Sequence, residues 1–298
     1  HDYVERFATG YADLVQRVKE YSPEAVAAVV GLDAAIIEQF AREYATTQPS
    51  VLRPLIGIEH HRNGAMMFRT IACLPILIGA WRQRGGGLSR STHGLQFSTL
   101  NIQGLLLPEH HQPGVRSLNM RDLGNDLCSS NLSPPIRSLC VYNCNPAVTI
   151  PNQPQILRGL QREDMFTVVH DLFITETAKY ADYVLPATSQ IEHLDLVPAW
   201  GHHYLSLNRP AIEPIGESVP NTEFFRRLAR ALGRTEPWLY DSDEQLIRTV
   251  LDSPHPWIAS ITYERLWDEG YVRFNPERDW LPFAEGGFPT ASGKAELY

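Results

Sequence analysis

Polar side chains cluster where short apolar runs stop. Asn143 and Asn145 follow the run Ser138–Tyr142, and His170 and Asp171 follow Met165–Val169. An Asn amide both donates and accepts hydrogen bonds, and a carboxylate accepts through two oxygens. Together these groups suit a polar, nucleotide-like ligand. Each has an ordinary structural reading as well. Asp171 reads equally as the cap of a helix beginning near Thr175, and Asn145 as an Asx-turn ahead of Pro146. His193 reads as an interface histidine, and Asn221 as the cap of a helix over 222–232.

The elements that must position these residues lie between Arg137 and Pro186. The stretch reads as strand, polar loop, helix, strand, polar loop, short helix, strand, the third strand being Tyr183–Leu185. Apolar runs with helical patterns between them are the signature of βαβ units and a parallel sheet. Ligands of such sheets sit outside the carboxyl ends of the strands.

Elsewhere, residues 2–21 have helical periodicity. Ser22-Pro23 opens a short helix ending near Gly31, and Asp33 stands at the cap of the next. Val51–Ile58 reads as a buried strand weakened by Pro54, and 65–81 as a long apolar helix. His60 and His61 follow the strand. A helix is expected over 118–127 despite Gly124, and another from Asp241 or Ser242 to Leu251. The remainder reads as irregular with short helices.

The chain has 298 residues, 43% hydrophobic and 20% charged, with net charge −8, an ordinary globular composition. The acidic balance argues against nucleic acid as a partner. No apolar run is long enough to cross a membrane. The four cysteines, Cys73, Cys128, Cys140 and Cys144, have neither zinc nor iron–sulfur spacing. HExxH, GxSxG, P-loop and GxGxxG patterns are absent. His110-His111 reads as solvated loop.

Several motifs occur in order: YNCNP, P-x-Q, REDMFTVVHDLFITETAKYADYVLPATSQIEHLD and GESVPNTEFFRRLARALG. This pattern resembles the molybdopterin oxidoreductases, the bis-molybdopterin guanine dinucleotide enzymes of the dimethyl sulfoxide reductase superfamily. The resemblance implies an α/β fold of Rossmann-like parallel-sheet domains with helices on both faces, like domains 1–3 of formate dehydrogenase and DMSO reductase. It implies that residues 1–90 are the C-terminal part of one Rossmann-like cofactor-binding domain. Residues 91–190 would be part of a second, and 191–298 a wrapping segment leading to a further domain. The chain, which starts without Met and stops after SGKAELY, is expected to be the middle of a larger enzyme.

The resemblance implies a bis-molybdopterin guanine dinucleotide cofactor with Mo or W, and an iron–sulfur cluster in a region preceding this chain. Asn143, Asn145, His170, Asp171, Thr175, His193 and Asn221 are the expected cofactor-binding residues. Asp171 would face the Watson–Crick edge of guanine, and Thr175 would present amides to a pyrophosphate. His170 would add backbone or ribose contacts. Arg90, Ser91, Thr92 and His93 occupy the place that approaches the pterin and the substrate funnel. No catalytic residue and no metal ligand is assigned. The expected partners are a small-molecule substrate and an electron-transfer subunit, in the cytoplasm or the periplasm. Two alternatives stand beside this reading: a non-catalytic nucleotide-binding or assembly module, and a non-redox hydratase on the same scaffold.

Overall fold

The computed structural model describes residues 2–91, 93–111, 113–277 and 280–298. They form two compact units, His1–Thr92 with Pro276–Tyr298, and His93–Asn275.

In the first unit the N-terminal periodicity resolves into α1 (Asp2–Phe7) and α2 (Tyr11–Val18), separated by β1 (Ala8–Thr9) and a left-handed Gly10. Helix α3 (Pro23–Val30) starts as its spacing predicts, with Ser22 Oγ accepting from the Ala25 N–H. Asp33 occupies the cap position of α4 (Ala34–Thr46) without a side-chain bond. The strand expected over 51–58 shrinks to β2 (Val51–Leu52). Pro54 has no N–H to donate, and the chain turns from Ile56. Helix α5 (Gly64–Leu77) stops short of Trp81 because Gly79 is left-handed, and a 3-10 turn, Ala80–Arg82, follows. Strand β3 (Gly87–Leu88) pairs in parallel with β2. The last strand, Ala295–Glu296, pairs in parallel with β1. Tyr3, Val4, Cys73, Ile76, Ala295 and Leu297 make the core of this unit.

The second unit opens with α6 (His93–Thr99) and α7 (Gln103–Leu106). The helix expected over 118–127 is a 3-10 turn, Met120–Asp122, running into α8 (Leu123–Cys128). Then come β4 (Ser138–Tyr142), α9 (Pro146–Thr149), α10 (Gln153–Leu160), β5 (Phe166–Asp171) and β6 (Tyr183–Pro186). The three strands form a parallel sheet in the order β4-β5-β6. Its register puts Val141, Val169 and Val184 in one row and Tyr142, His170 and Leu185 in the next. Successive strand residues point to opposite faces, so these rows belong to different faces.

Leu139, on the valine face, joins the cluster of Leu127 from α8 and Ile156 and Leu160 from α10. The other face meets α11 (Asn221–Ala231), whose Phe224 stacks on His170 at 4.7 Å and whose Phe225 meets Tyr142 edge-on at 4.9 Å. The fold is therefore α/β, with helices on both faces of a parallel sheet. A second, antiparallel sheet joins β7 (Asp195–Pro198), β8 (Tyr204–Asn208) and β9 (Tyr271–Arg273). It packs with α12 (Asp243–Leu251) and α13 (Tyr263–Glu269) around Leu205, Ile247, Ile258, Leu266 and Phe274. Ser242 and Gln245 close α12 with a capping box. No helix among the described residues is long and apolar enough to cross a membrane.

Candidate functional site

The carboxyl edge of the β4-β5-β6 sheet gathers loops from successive elements. After β4, Asn143 adopts φ +52°, a left-handed conformation Asn tolerates, and its side chain is exposed. Asn145 is half-buried. Its Oδ1 accepts from the Thr177 N–H at 3.2 Å and the Thr177 hydroxyl at 2.7 Å. The amide therefore bridges to the loop after β5 and does not close an Asx-turn ahead of Pro146. Thr177 is fully buried, and its Oγ1 also accepts from the Ala147 N–H at 3.0 Å.

His170 and Asp171 lie within β5, not in the loop beyond it. Being consecutive strand residues, they point to opposite faces. His170 faces α11 and is fully buried, with Nδ1 3.3 Å from the Leu185 carbonyl oxygen. A carbonyl only accepts, so Nδ1 carries the proton. Nε2 is buried and without a partner among the described residues. Burial pushes the imidazole pKa down, against the Leu185 and Val219 carbonyls and the nearby Asp171, which raise it. The enclosed ring offers no surface for a ribose contact, which leaves His170 only its backbone to give.

Asp171 is half-buried, and its Oδ1 accepts from the Phe173 N–H at 3.1 Å. That is an Asx-turn, not a helix cap. Thr175 Oγ1 accepts from the Ala178 N–H at 3.2 Å, and the cap position of the 3-10 turn Ala178–Tyr180 is Thr177, whose side chain makes no cap bond.

Beyond β6, Thr188 Oγ1 lies 3.0 Å from His193 Nδ1. Glu192, buried, holds this loop. Its Oε2 accepts from the Ser189 N–H and hydroxyl at 2.7 and 2.6 Å, and its Oε1 from the Ile215 N–H at 2.8 Å. The Ser189 hydroxyl, with the Ser189 and Ile215 amides, keeps the carboxyl pKa below its usual range. Ala187 bridges to Val219 in parallel, which brings the start of α11 beside the end of β6. Asn221 is the first residue of that helix and not its cap. Pro220, extended at ψ 157°, takes the cap position, and no side chain caps the helix.

Three cross-links thus tie the loops along one edge: Asn145 to Thr177, Asp171 to Pro186 in the ladder, and Ala187 to Val219. Asn143, Asn145, Thr175 and His193 belong to these loops, with Asp171 at the end of β5 and Asn221 at the start of α11 beside them. Thr177 and Glu192 had no signal in residue type or spacing, since each is defined by a partner on another loop.

In the other unit, Arg90 makes a two-pronged ion pair with Glu59, Nε to Oε1 at 2.5 Å and Nη2 to Oε2 at 2.8 Å. Thr92 and the His93 side chain lie outside the described residues. His60 and His61 are exposed in a turn, and His110 stacks on Trp238 at 4.7 Å. No group of His, Cys, Asp and Glu among the described residues could hold a metal ion.

A molybdopterin oxidoreductase family model matches residues 18–231. A probable oxidoreductase of Bacillus subtilis, YoaE, is 45% identical over 302 residues, covering 100% of this chain and 43% of that protein. The acetylene hydratase of Syntrophotalea acetylenica is 25% identical, covering 100% of this chain and 44% of that protein. The solved acetylene hydratase from Pelobacter acetylenicus superposes with a TM-score of 0.75 at 23% identity, covering 100% of this chain and 45% of that one. It supports the fold. The chain spans less than half the length of these relatives. On the strength of the family match and the YoaE relationship, the chain belongs to the molybdopterin oxidoreductase family, which implies a molybdopterin cofactor with molybdenum or tungsten.

Proposed function

We propose that this chain is the central portion of a molybdenum- or tungsten-dependent oxidoreductase. The carboxyl edge of its parallel sheet holds the guanine dinucleotide end of a bis-molybdopterin guanine dinucleotide cofactor. The observation that carries this reading is the donor and acceptor set along that edge. Among the described residues Asp171 Oδ2 has no partner, and the Asn145 amide nitrogen is likewise unengaged. An ionised carboxylate matches the two adjacent donors of a guanine Watson–Crick edge, and an amide nitrogen matches an acceptor oxygen. The residues present therefore fit the group.

On this reading Asp171 fixes the base. Asn143, Asn145, Thr175, His193 and Asn221 contact base, ribose or phosphate, and His170 holds β5 against α11. When bound, the metal supplies two-electron redox or oxygen-atom transfer chemistry. This chain supplies binding and orientation. The metal ligand and an iron–sulfur cluster belong to polypeptide outside residues 1–298. The whole enzyme takes a small-molecule substrate and exchanges electrons with a separate subunit.

The test is the guanine nucleotide and metal content of the full-length protein made in a cofactor-competent host. Two guanines for each Mo or W are expected. Asp171→Asn keeps an oxygen for the Phe173 amide but removes the charge. Hydrogen bonds to a charged group contribute ~1.5–3 kcal/mol, so GDP binding to the cofactor-free protein should weaken ~10- to 100-fold. Full-length protein that stays free of metal and pterin in such a host would point to a binding or assembly module.

The acetylene hydratase matches across the whole chain favour a second reading, water addition without net redox. A turnover that consumes an artificial electron carrier separates the oxidoreductase from the hydratase, which needs none.

A further inference from the structure

We propose that Thr177 is a positioning residue that turns Asn145 into a donor-only contact, so that this loop recognises a hydrogen-bond acceptor on the nucleotide. The inference rests on the guanine dinucleotide reading and narrows one of its contacts. The argument begins with the Thr177 backbone N–H, which reaches Asn145 Oδ1 at 3.2 Å. A backbone N–H can only donate, so the amide face turned to Thr177 must be its oxygen. An Asn side chain alone leaves that orientation open.

The hydroxyl then locks it. Thr177 Oγ1 accepts from the Ala147 N–H at 3.0 Å and donates its own proton to Asn145 Oδ1 at 2.7 Å. The Ala147 amide and the Asn145 oxygen give this fully buried hydroxyl both its partners, one on each side. Among the described residues Asn145 Nδ2 is left without a partner, on a half-buried side chain at the sheet edge. Its two N–H groups present donors and no acceptor. The complementary ligand atom is a phosphate oxygen or guanine O6, not a ribose hydroxyl proton or the guanine N1–H and N2–H donors that face Asp171.

The latch also joins the loops after β4 and β5, so the spacing between Asn145 and Asp171 is set before ligand arrives. Preorganisation of this kind lowers the ordering cost of binding.

The test uses full-length protein from a host unable to make the cofactor, with GDP and guanosine as probes in calorimetry and thermal midpoints recorded alongside. Asn145→Asp is the sharpest variant. Its carboxylate still accepts from both Thr177 donors, while the outward nitrogen becomes an acceptor oxygen. GDP binding should fall more than about tenfold with no loss of midpoint. Thr177→Val should weaken GDP about tenfold, and Thr177→Ser should restore it. In the double variant Thr177→Val/Asn145→Ala, the loss should match that of Asn145→Ala alone, because one residue acts through the other. Loss with both probes assigns the contact to the base, and loss with GDP alone assigns it to phosphate.

Wild-type affinity in Asn145→Asp, or additive losses in the double variant, would overturn the latch while leaving the guanine reading in place. Absence of GDP binding by the wild-type protein would overturn both.

Discussion

The His170 ring is sealed between β5 and α11, with Nδ1 3.3 Å from the Leu185 carbonyl oxygen and Nε2 without a hydrogen-bond partner among the described residues. Protonating it means placing a charge in that interface, which is why burial lowers its pKa from the usual 6.5. The sign of the linkage follows. Between the lowered folded value and about 6.5 the unfolded chain binds more protons, so stability rises with pH there. The contribution is whole above about pH 6.5 and is lost as pH falls through the folded value. His170→Phe keeps a ring against Phe224 and cannot titrate. Its thermal midpoint should fall less steeply below pH 6.5 than that of the wild type. Parallel slopes would assign the acid sensitivity elsewhere, for example to His203, whose pKa burial also lowers. His170 shows what residue type conceals. His-Asp at a strand end was legible as a pair, but period-2 alternation sends the two side chains to opposite faces, and only the register says which face α11 covers. Asn145 and Asn221 carry the same lesson. Cap, turn and ligand contact all suit Asn, and it took the structure to put Asn145 on Thr177 and the cap of α11 at Pro220.

At the scale of elements, β4, β5 and β6 were legible because each is a short apolar run bounded by polar loops. The helices around them were less so. Gly124 argued against a helix, yet it lies in α8 for a reason on the facing helix. A Cβ at Gly124 would stand 2.9 Å from the Ile156 nitrogen in α10, and one at Gly159 would stand 2.5 Å from Leu127 Cβ. The two glycines let α8 and α10 approach almost backbone to backbone, closing the core under the valine face. Gly159→Ala should separate them. Overpacking costs ~1–3 kcal/mol, against which the better helix propensity of Ala returns at most ~1 kcal/mol. A lower thermal midpoint and reduced cofactor retention are expected, and an unchanged midpoint would mean the helices are not in this contact. The opposite error occurred at Val51–Ile58, where an apolar run suggested more strand than forms. Apolarity alone does not provide the ladder donors that Pro54 lacks.

For the molecule as a whole, the telling feature is apolar surface that these residues do not cover. Helices α3 and α4 contain no buried residue, with Val29 85% and Phe40 66% exposed. Directly after Asp171, Phe173 and Ile174 are 74% and 68% exposed. Large apolar groups left in water in clusters mark surfaces that meet something else. The relatives are more than twice as long as this chain, which covers 43% and 44% of two of them. Periodicity could mark the apolar stripe of α4, but it could not say that the stripe lacks a partner among the described residues. If further polypeptide of a larger enzyme covers these patches, residues 1–298 expressed alone should bind the dye ANS strongly and self-associate on gel filtration. The full gene product should do neither. Phe173 and Ile174 adjoin the proposed nucleotide edge, so protein loaded with cofactor should also shield them from hydrogen exchange more than cofactor-free protein does. Equal dye binding by the short and full-length forms would mean that the patches face solvent in the working enzyme, and that their cover must be sought in a separate subunit.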